Sequence, residues 1–179
     1  MGGKTLHNLF HEALKDVYYL EKRLSGTLAK TANGASSPDL SVLFERRRED
    51  AAVQIERLEA IFGILGKQPE GPAWTAVDGI VEEAHAMLVH YQTSPALDAG
   101  LVSAAQTIWQ YGLTRYTTLK RWARVLGLAE AAKLLNAILR DQLRMNAELG
   151  VLAELLLDDA DAVPCTEQAP PTSNFSAAA

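Results

Sequence analysis

Apolar residues recur along this chain in alternating steps of four and three, the spacing that gathers them into one stripe on a helix. The first stripe is Phe10, Leu14, Val17, Leu24 and Leu28. The position that completes it, between Val17 and Leu24, is Glu21. A carboxylate on such a stripe is expensive to bury unless something pairs with it, so what Glu21 faces becomes the first question. A second stripe takes in Leu40, Phe44, Arg48, Ala51, Ile55, Leu58, Phe62 and Leu65, with Arg48 as its charged member. A third follows Leu101, Ala105, Ile108, Gly112, Arg115, Leu119, Trp122 and Leu126. The fourth is Leu135, Ile138, Gln142, Met145, Leu149, Leu152 and Leu156.

Capping and breaking residues divide these stripes into elements. The spacing predicts α1 from about Thr5, a candidate N-cap, to about Thr31, with Asn33-Gly34 able to supply a left-handed residue at its end. Ser37 and Pro38 fit the cap and first position of α2, which Gly66 closes. The turn-rich run Lys67-Gln68-Pro69-Glu70-Gly71-Pro72 leads to a shorter α3, about Trp74 to Tyr91. Ser94-Pro95 reads as cap and first residue of α4, which ends at Gly127, and α5 starts near Leu128. Four long helices, short loops and one short helix on a long crossover make an all-α four-helix bundle. Residues 1–158 form this domain, and from Asp159 the Pro, Ser, Thr and Ala content predicts a disordered tail over 159–179.

Composition narrows the classes. The chain is 48% hydrophobic and 22% charged, which suits a packed helical core. A net charge of -5 gives no general attraction to nucleic acid or anionic lipid. The single cysteine, Cys165, has no partner for an internal disulfide and no evident activating neighbour. The N-terminal residues lack the apolar core of a secretory signal, and the apolar stretch near Leu149 to Leu157 is interrupted by Glu154. A soluble, cytoplasmic protein is the expectation.

Several short blocks carry a resemblance. Asp16-Val17-Tyr18-x-x-Glu21-Lys22-x-Leu24, Gln54-Ile55-Glu56-Arg57-Leu58, Gly79-Ile80-Val81-Glu82-Glu83-Ala84, Ala104-Ala105-Gln106 and Ala131-Ala132-Lys133-Leu134-Leu135 stand in the order seen in the bacterial YciE/YciF-like family. The similarity spans roughly residues 4 to 156. It implies a ferritin-like fold, an association with stress responses, a homodimer, and no established biochemical activity. Bundles of this type build a dinuclear metal site from a Glu on each of two helices and Glu-x-x-His pairs on the other two. Here α1 keeps Glu21 and α2 keeps Glu49, but Ala52 stands where relatives can carry His. No Asp or Glu occurs between Asp98 and Glu130, so the body of α4, around Trp109, Gln110 and Gly112, offers no carboxylate. On α5 the corresponding region, Arg140-Asp141-Gln142, keeps only Asp141. Glu21, Glu49 and Asp141 without a histidine are too few for the usual site, which reads as lost.

The seams carry Arg48, Arg115 and Gln142 at the level where metal ligands would converge. The expectation is a buried polar cluster of Glu21, Arg48, Arg115 and Gln142, with arginine taking over the metal's charge-balancing role. Other candidates read more simply. His7 and His11 sit four apart near a helix start and lack a full HExxH motif. Glu82 and His85 form a Glu-x-x-His pair on the crossover, which suits a surface or dimer interface. Arg46-Arg47-Arg48 is flanked by Glu45, Glu49 and Asp50, as on a salt-bridged helix face. Trp109, Tyr111, Tyr116 and Trp122 on α4 read as core or interface aromatics. The sequence therefore favours a non-catalytic bundle without metal or cofactor, acting through a homodimer or a protein partner. The alternative is a metal-dependent oxidoreductase, or a metal or peroxide handler, using iron or manganese on Glu21, Glu49 and Asp141.

Overall fold

The computed structural model describes residues 4–161, in five helices: α1 Leu6–Gly34, α2 Pro38–Ile64, α3 Thr75–His90, α4 Leu97–Val125 and α5 Ala129–Asp161. The helix ends show why they fall there. Thr5 opens α1 with a capping box, its hydroxyl accepting from Asn8 N while the Asn8 side chain accepts from Thr5 N at 3.0 Å. Ser37 caps α2 by accepting from Leu40 N, with Pro38 in the first turn. Gly66 (φ 64°) and Gly127 (φ 71°) close α2 and α4. In each case the next residue donates back five positions, Lys67 N to Phe62 O and Leu128 N to Ala123 O.

Two ends differ from the sequence expectation. Asn33 and Gly34 stay helical, and α1 stops instead at Ala35, which is extended (φ -63°, ψ 140°). Ser94 does not cap α4. Its hydroxyl accepts from Ala96 N at 3.1 Å in a separate turn, where Ser94 N donates to Tyr91 O at 2.8 Å, and α4 begins two residues after Pro95. At the other end of the domain α5 runs to Asp161, three residues beyond the boundary expected at 158. The tail beyond it, with Cys165, lies outside the described residues.

The four long helices form a ring in the order α1, α2, α5, α4. Asp98, at the start of α4, accepts from Ser36 N at 2.8 Å and Ser37 N at 2.7 Å, in the turn between α1 and α2. The start of α4 therefore sits at the same end of the bundle as the start of α2. Those two helices run one way and α1 and α5 the other, so all neighbours around the ring are antiparallel. This is the ferritin-like arrangement with its long crossover. The crossover carries α3 along the outside of α1 and α4. Its approach to α1 is close, since a Cβ on Gly71 would stand 2.9 Å from Tyr19 N and 3.0 Å from Lys15 O.

The core has two apolar halves. One is built on Leu24, Leu28, Phe44, Leu101, Ile108 and Leu149, the other on Phe10, Leu14, Leu58, Phe62, Leu119 and Leu135. Between them lies a layer of buried polar side chains.

Candidate functional site

Glu21 is fully buried at the centre of that layer. One arginine nitrogen, Arg47 Nη2, donates to both carboxylate oxygens, at 2.8 Å to Oε2 and 3.1 Å to Oε1. Tyr116 of α4 donates its hydroxyl to Oε1 at 2.8 Å, and Gln142 Nε2 of α5 reaches the same oxygen at 3.2 Å. The amide end of Gln54, on α2, completes the layer. With its nitrogen turned toward the carboxylate it donates to Oε1 at 2.9 Å and Oε2 at 3.3 Å, the orientation that a carboxylate demands. All five side chains are at most 2% exposed. The layer thus takes one or more groups from each long helix and focuses them on one carboxylate. Burial and the neighbouring Glu21 charge push the Tyr116 phenol well above its ordinary value, so it serves as a fixed donor.

Of the four expected members of the cluster, the structure brings Glu21 and Gln142 together and places both arginines elsewhere. Glu21's partner is Arg47, not Arg48. Arg48 lies partly exposed on the flank of α2 and bonds Glu45 at 2.7 Å, one turn away. The stripe that faces the core is Leu40, Phe44, Arg47, Ala51, Gln54 and Leu58, which keeps a strict four-three alternation; the version through Arg48 and Ile55 begins with two steps of four. Arg115 also leaves the cluster. It pairs with Asp16 at the bundle's flank, and its guanidinium lies 4.8 Å from the centre of the Trp74 ring. Desolvation pushes the Asp16 carboxyl up, with Arg115 offsetting this only in part.

The position that α4 sends inward is Tyr116. From Gly112 the buried positions run through Tyr116, Leu119 and Ala123, a step of four where strict alternation requires three. The change is the drift of a 3.6-residue helix against a seven-residue repeat. Gln54 and Tyr116 were the two members that the charge pattern did not flag. Unbroken alternation on α2 and the need of any buried phenol for an acceptor were the available signals.

The residual metal candidates are not brought together. Glu21 is held in the core, Glu49 is exposed on α2, and Asp141 accepts from Arg57 Nη1 at 2.5 Å on the flank between α2 and α5. Among the described residues no group of three or more His, Cys, Asp or Glu side chains could share a metal ion. The donor set around Glu21 consists of an arginine, a phenol and two amides, which supplies positive charge and N–H groups where a cation needs anionic oxygens. These residues do not fit a dinuclear centre.

The other candidates lie outside the layer. His7 is exposed, whereas His11 packs edge-on against Phe62 with ring centroids 5.9 Å apart. Arg46 bridges to Glu148 on α5 at 2.8 Å. Tyr18 donates to Glu59 at 2.8 Å, and burial together with that bond pushes its phenol up to about 12. Glu82 and His85 stand on the partly exposed side of α3 nearest α1, 3.7 Å apart. Trp109 is buried in the core, Tyr111 packs against Trp74 at 5.3 Å between centroids, and Trp122 is half-buried. No helix among the described residues is long and apolar enough to cross a membrane.

Comparison with known proteins agrees with this architecture. Protein YciF of Escherichia coli (strain K12) is 32% identical over 154 residues, covering 86% of this chain and 93% of its own length. The crystal structure of the E. coli stress protein YciF matches with a TM-score of 0.83 at 31% identity, over 87% of this chain and 99% of that one. YcfI from Rhodopseudomonas palustris matches with a TM-score of 0.76 at 33% identity, over 82% of this chain and 93% of its own. The family model described as "Domain of unknown function (DUF892)" matches residues 5–161, and the chain belongs to that family.

Proposed function

We propose that this chain is a non-catalytic, stress-associated ferritin-like protein in which an arginine–carboxylate pair has replaced the dinuclear metal centre. The observation that carries this reading is the buried bond from Arg47 to Glu21 at 2.8 Å. A guanidinium neutralises the carboxylate at the middle of the bundle, and the phenol and amides occupy the remaining acceptor positions. The stress association is carried over from the relative, the E. coli stress protein YciF, and a cytoplasmic setting is part of the same reading.

Function then rests on the outside of the bundle. The groove between α2 and α5 exposes Val42 (58%), Val151 (66%) and Leu155 (58%) around the Arg46–Glu148 bridge. A second copy of the chain covering these aliphatic groups is the assembly we favour. Two measurements test the reading. Protein prepared from cells supplied with iron and manganese is expected to carry neither in stoichiometric amount; stoichiometric metal that disappears in Glu21→Ala would overturn the replacement. Light scattering after gel filtration is expected to give twice the 19.4 kDa chain mass, and a monomer at all concentrations would refute the assembly.

A further inference from the structure

A cavity of about 250 Å³ opens between the second half of α1, α3 and α4, on the side of the molecule away from the α2–α5 groove. Its floor is apolar, with Leu24, Leu28, Leu101 and Ile108 among the lining side chains. Trp109 also lines it, at 2% exposure, and its buried indole N–H finds no acceptor among the described residues.

The charge on the lining is the second observation. Two cations, Arg23 and Lys30, and one carboxylate, Glu82, contribute to it in a chain of net charge -5. Arg23 is engaged, donating to Asp78 and Glu82 at 3.0 Å each. Lys30 is not paired with a carboxylate among the described residues. Its ammonium lies 2.6 Å from His85 Nε2, a ring nitrogen rather than an anion. The hydroxyls of Thr27 and Thr31, also in the lining, donate to their own helix at Arg23 O and Thr27 O, which leaves them as acceptors only.

We propose that this cavity binds a small amphipathic carboxylate, a medium-chain fatty acid or an aryl acid. Its apolar body lies on the α1–α4 floor, and its carboxylate is served by the Lys30 ammonium at the rim. The volume admits a body of about ten carbons, given that a cavity of roughly 150 Å³ accepts benzene. The ligand's burial is driven by the floor, and the Lys30 ammonium selects for an acid over an alkane or an amine. The His85 and Glu82 pair, left unused by the bundle core, forms part of the rim of this site.

The test is titration of the full chain with decanoate below its micellar concentration, followed by the indole N–H resonances in two-dimensional NMR. Trp109→Phe identifies its own signal. Saturable binding that moves the Trp109 indole signal, and leaves those of Trp74 and Trp122 in place, is the expected result. Lys30→Gln, at an exposed position, is expected to weaken binding about fivefold to tenfold, and decylamine is expected not to compete. Ala84→Phe, on the half-buried α3 wall of the cavity, is expected to abolish binding while leaving the helical content unchanged. Absence of saturable binding overturns the proposal, as does binding that persists unchanged in both Lys30→Gln and Ala84→Phe.

Discussion

Two charge networks hold this bundle, and they differ in nearly everything except their chemistry. The inner one centres on Glu21, is shielded from water and draws donors from α2, α4 and α5. The outer one runs along α3, where Arg23 meets Asp78 and Glu82, and Tyr19 donates to Asp78 at 2.6 Å. Arg23 and Asp78 are each about one-third exposed, 32% and 34% by side chain. Water competes with every bond in the outer network, so forming or breaking one changes little. The inner network is buried from solvent, and each donor removed leaves a charge or dipole without compensation. Similar charged groups therefore carry a large cost of loss in one place and a small one in the other.

The largest effect is expected from Arg47→Met, which leaves the Glu21 carboxylate buried without its cation. A loss of about 3–5 kcal/mol in urea unfolding is the expectation, and the double variant Glu21→Leu/Arg47→Met should recover much of it. A double variant as unstable as the single one would show that the pair stabilises beyond charge balance. Tyr116→Phe removes one donor and should cost about 1–3 kcal/mol. It also has a pH signature. Because the folded phenol is raised well above 10.0, the unfolded chain releases that proton first as pH rises, and stability falls above about pH 10. Thermal melts across that range should show a shallower decline in Tyr116→Phe, with Tyr18 accounting for part of the remainder. The smallest effects belong to the outer charges. Arg23→Gln should cost less than about 1 kcal/mol and less still in high salt, and Arg48→Met should change stability by about 0.5 kcal/mol or less. Loss from Arg48→Met comparable to that from Arg47→Met would reverse the assignment of the buried partner.

The same contrast explains what was legible in the sequence. Five helices and their order follow from the four-three stripes and from Pro38, Gly66 and Gly127, whose backbone roles admit few alternatives. The start of α4 was harder, because Ser94 satisfies a turn as readily as a helix and only the tertiary path decides between them. Glu21 stood out as a charge on an apolar seam. Gln142 stood out as a polar group on another seam, but the remaining partners did not, for two physical reasons. Arg46, Arg47 and Arg48 are chemically identical neighbours, so only the phase of α2 separates the buried one from the two exposed ones. On α4 the phase itself drifts by one position after Gly112, bringing Tyr116 inward and Arg115 to the flank. Gln54 and Tyr116 carry no charge and fall one position off the stripes traced through Ile55 and Arg115, so nothing marked them as part of an ionic site. The cavity beside α3 was equally hidden, since it exists only once the crossover has docked.

Asp98 has one more consequence, for the order in which the bundle assembles. Its carboxylate holds the amides of Ser36 and Ser37, which lie more than sixty residues earlier in the chain. The α1–α2 hairpin can form without it, as can the α4–α5 hairpin. The clamp closes only when the crossover has brought the two hairpins together, a contact of long sequence separation and slow to form. Hydrogen exchange at those two amides therefore reports on the docking of the hairpins.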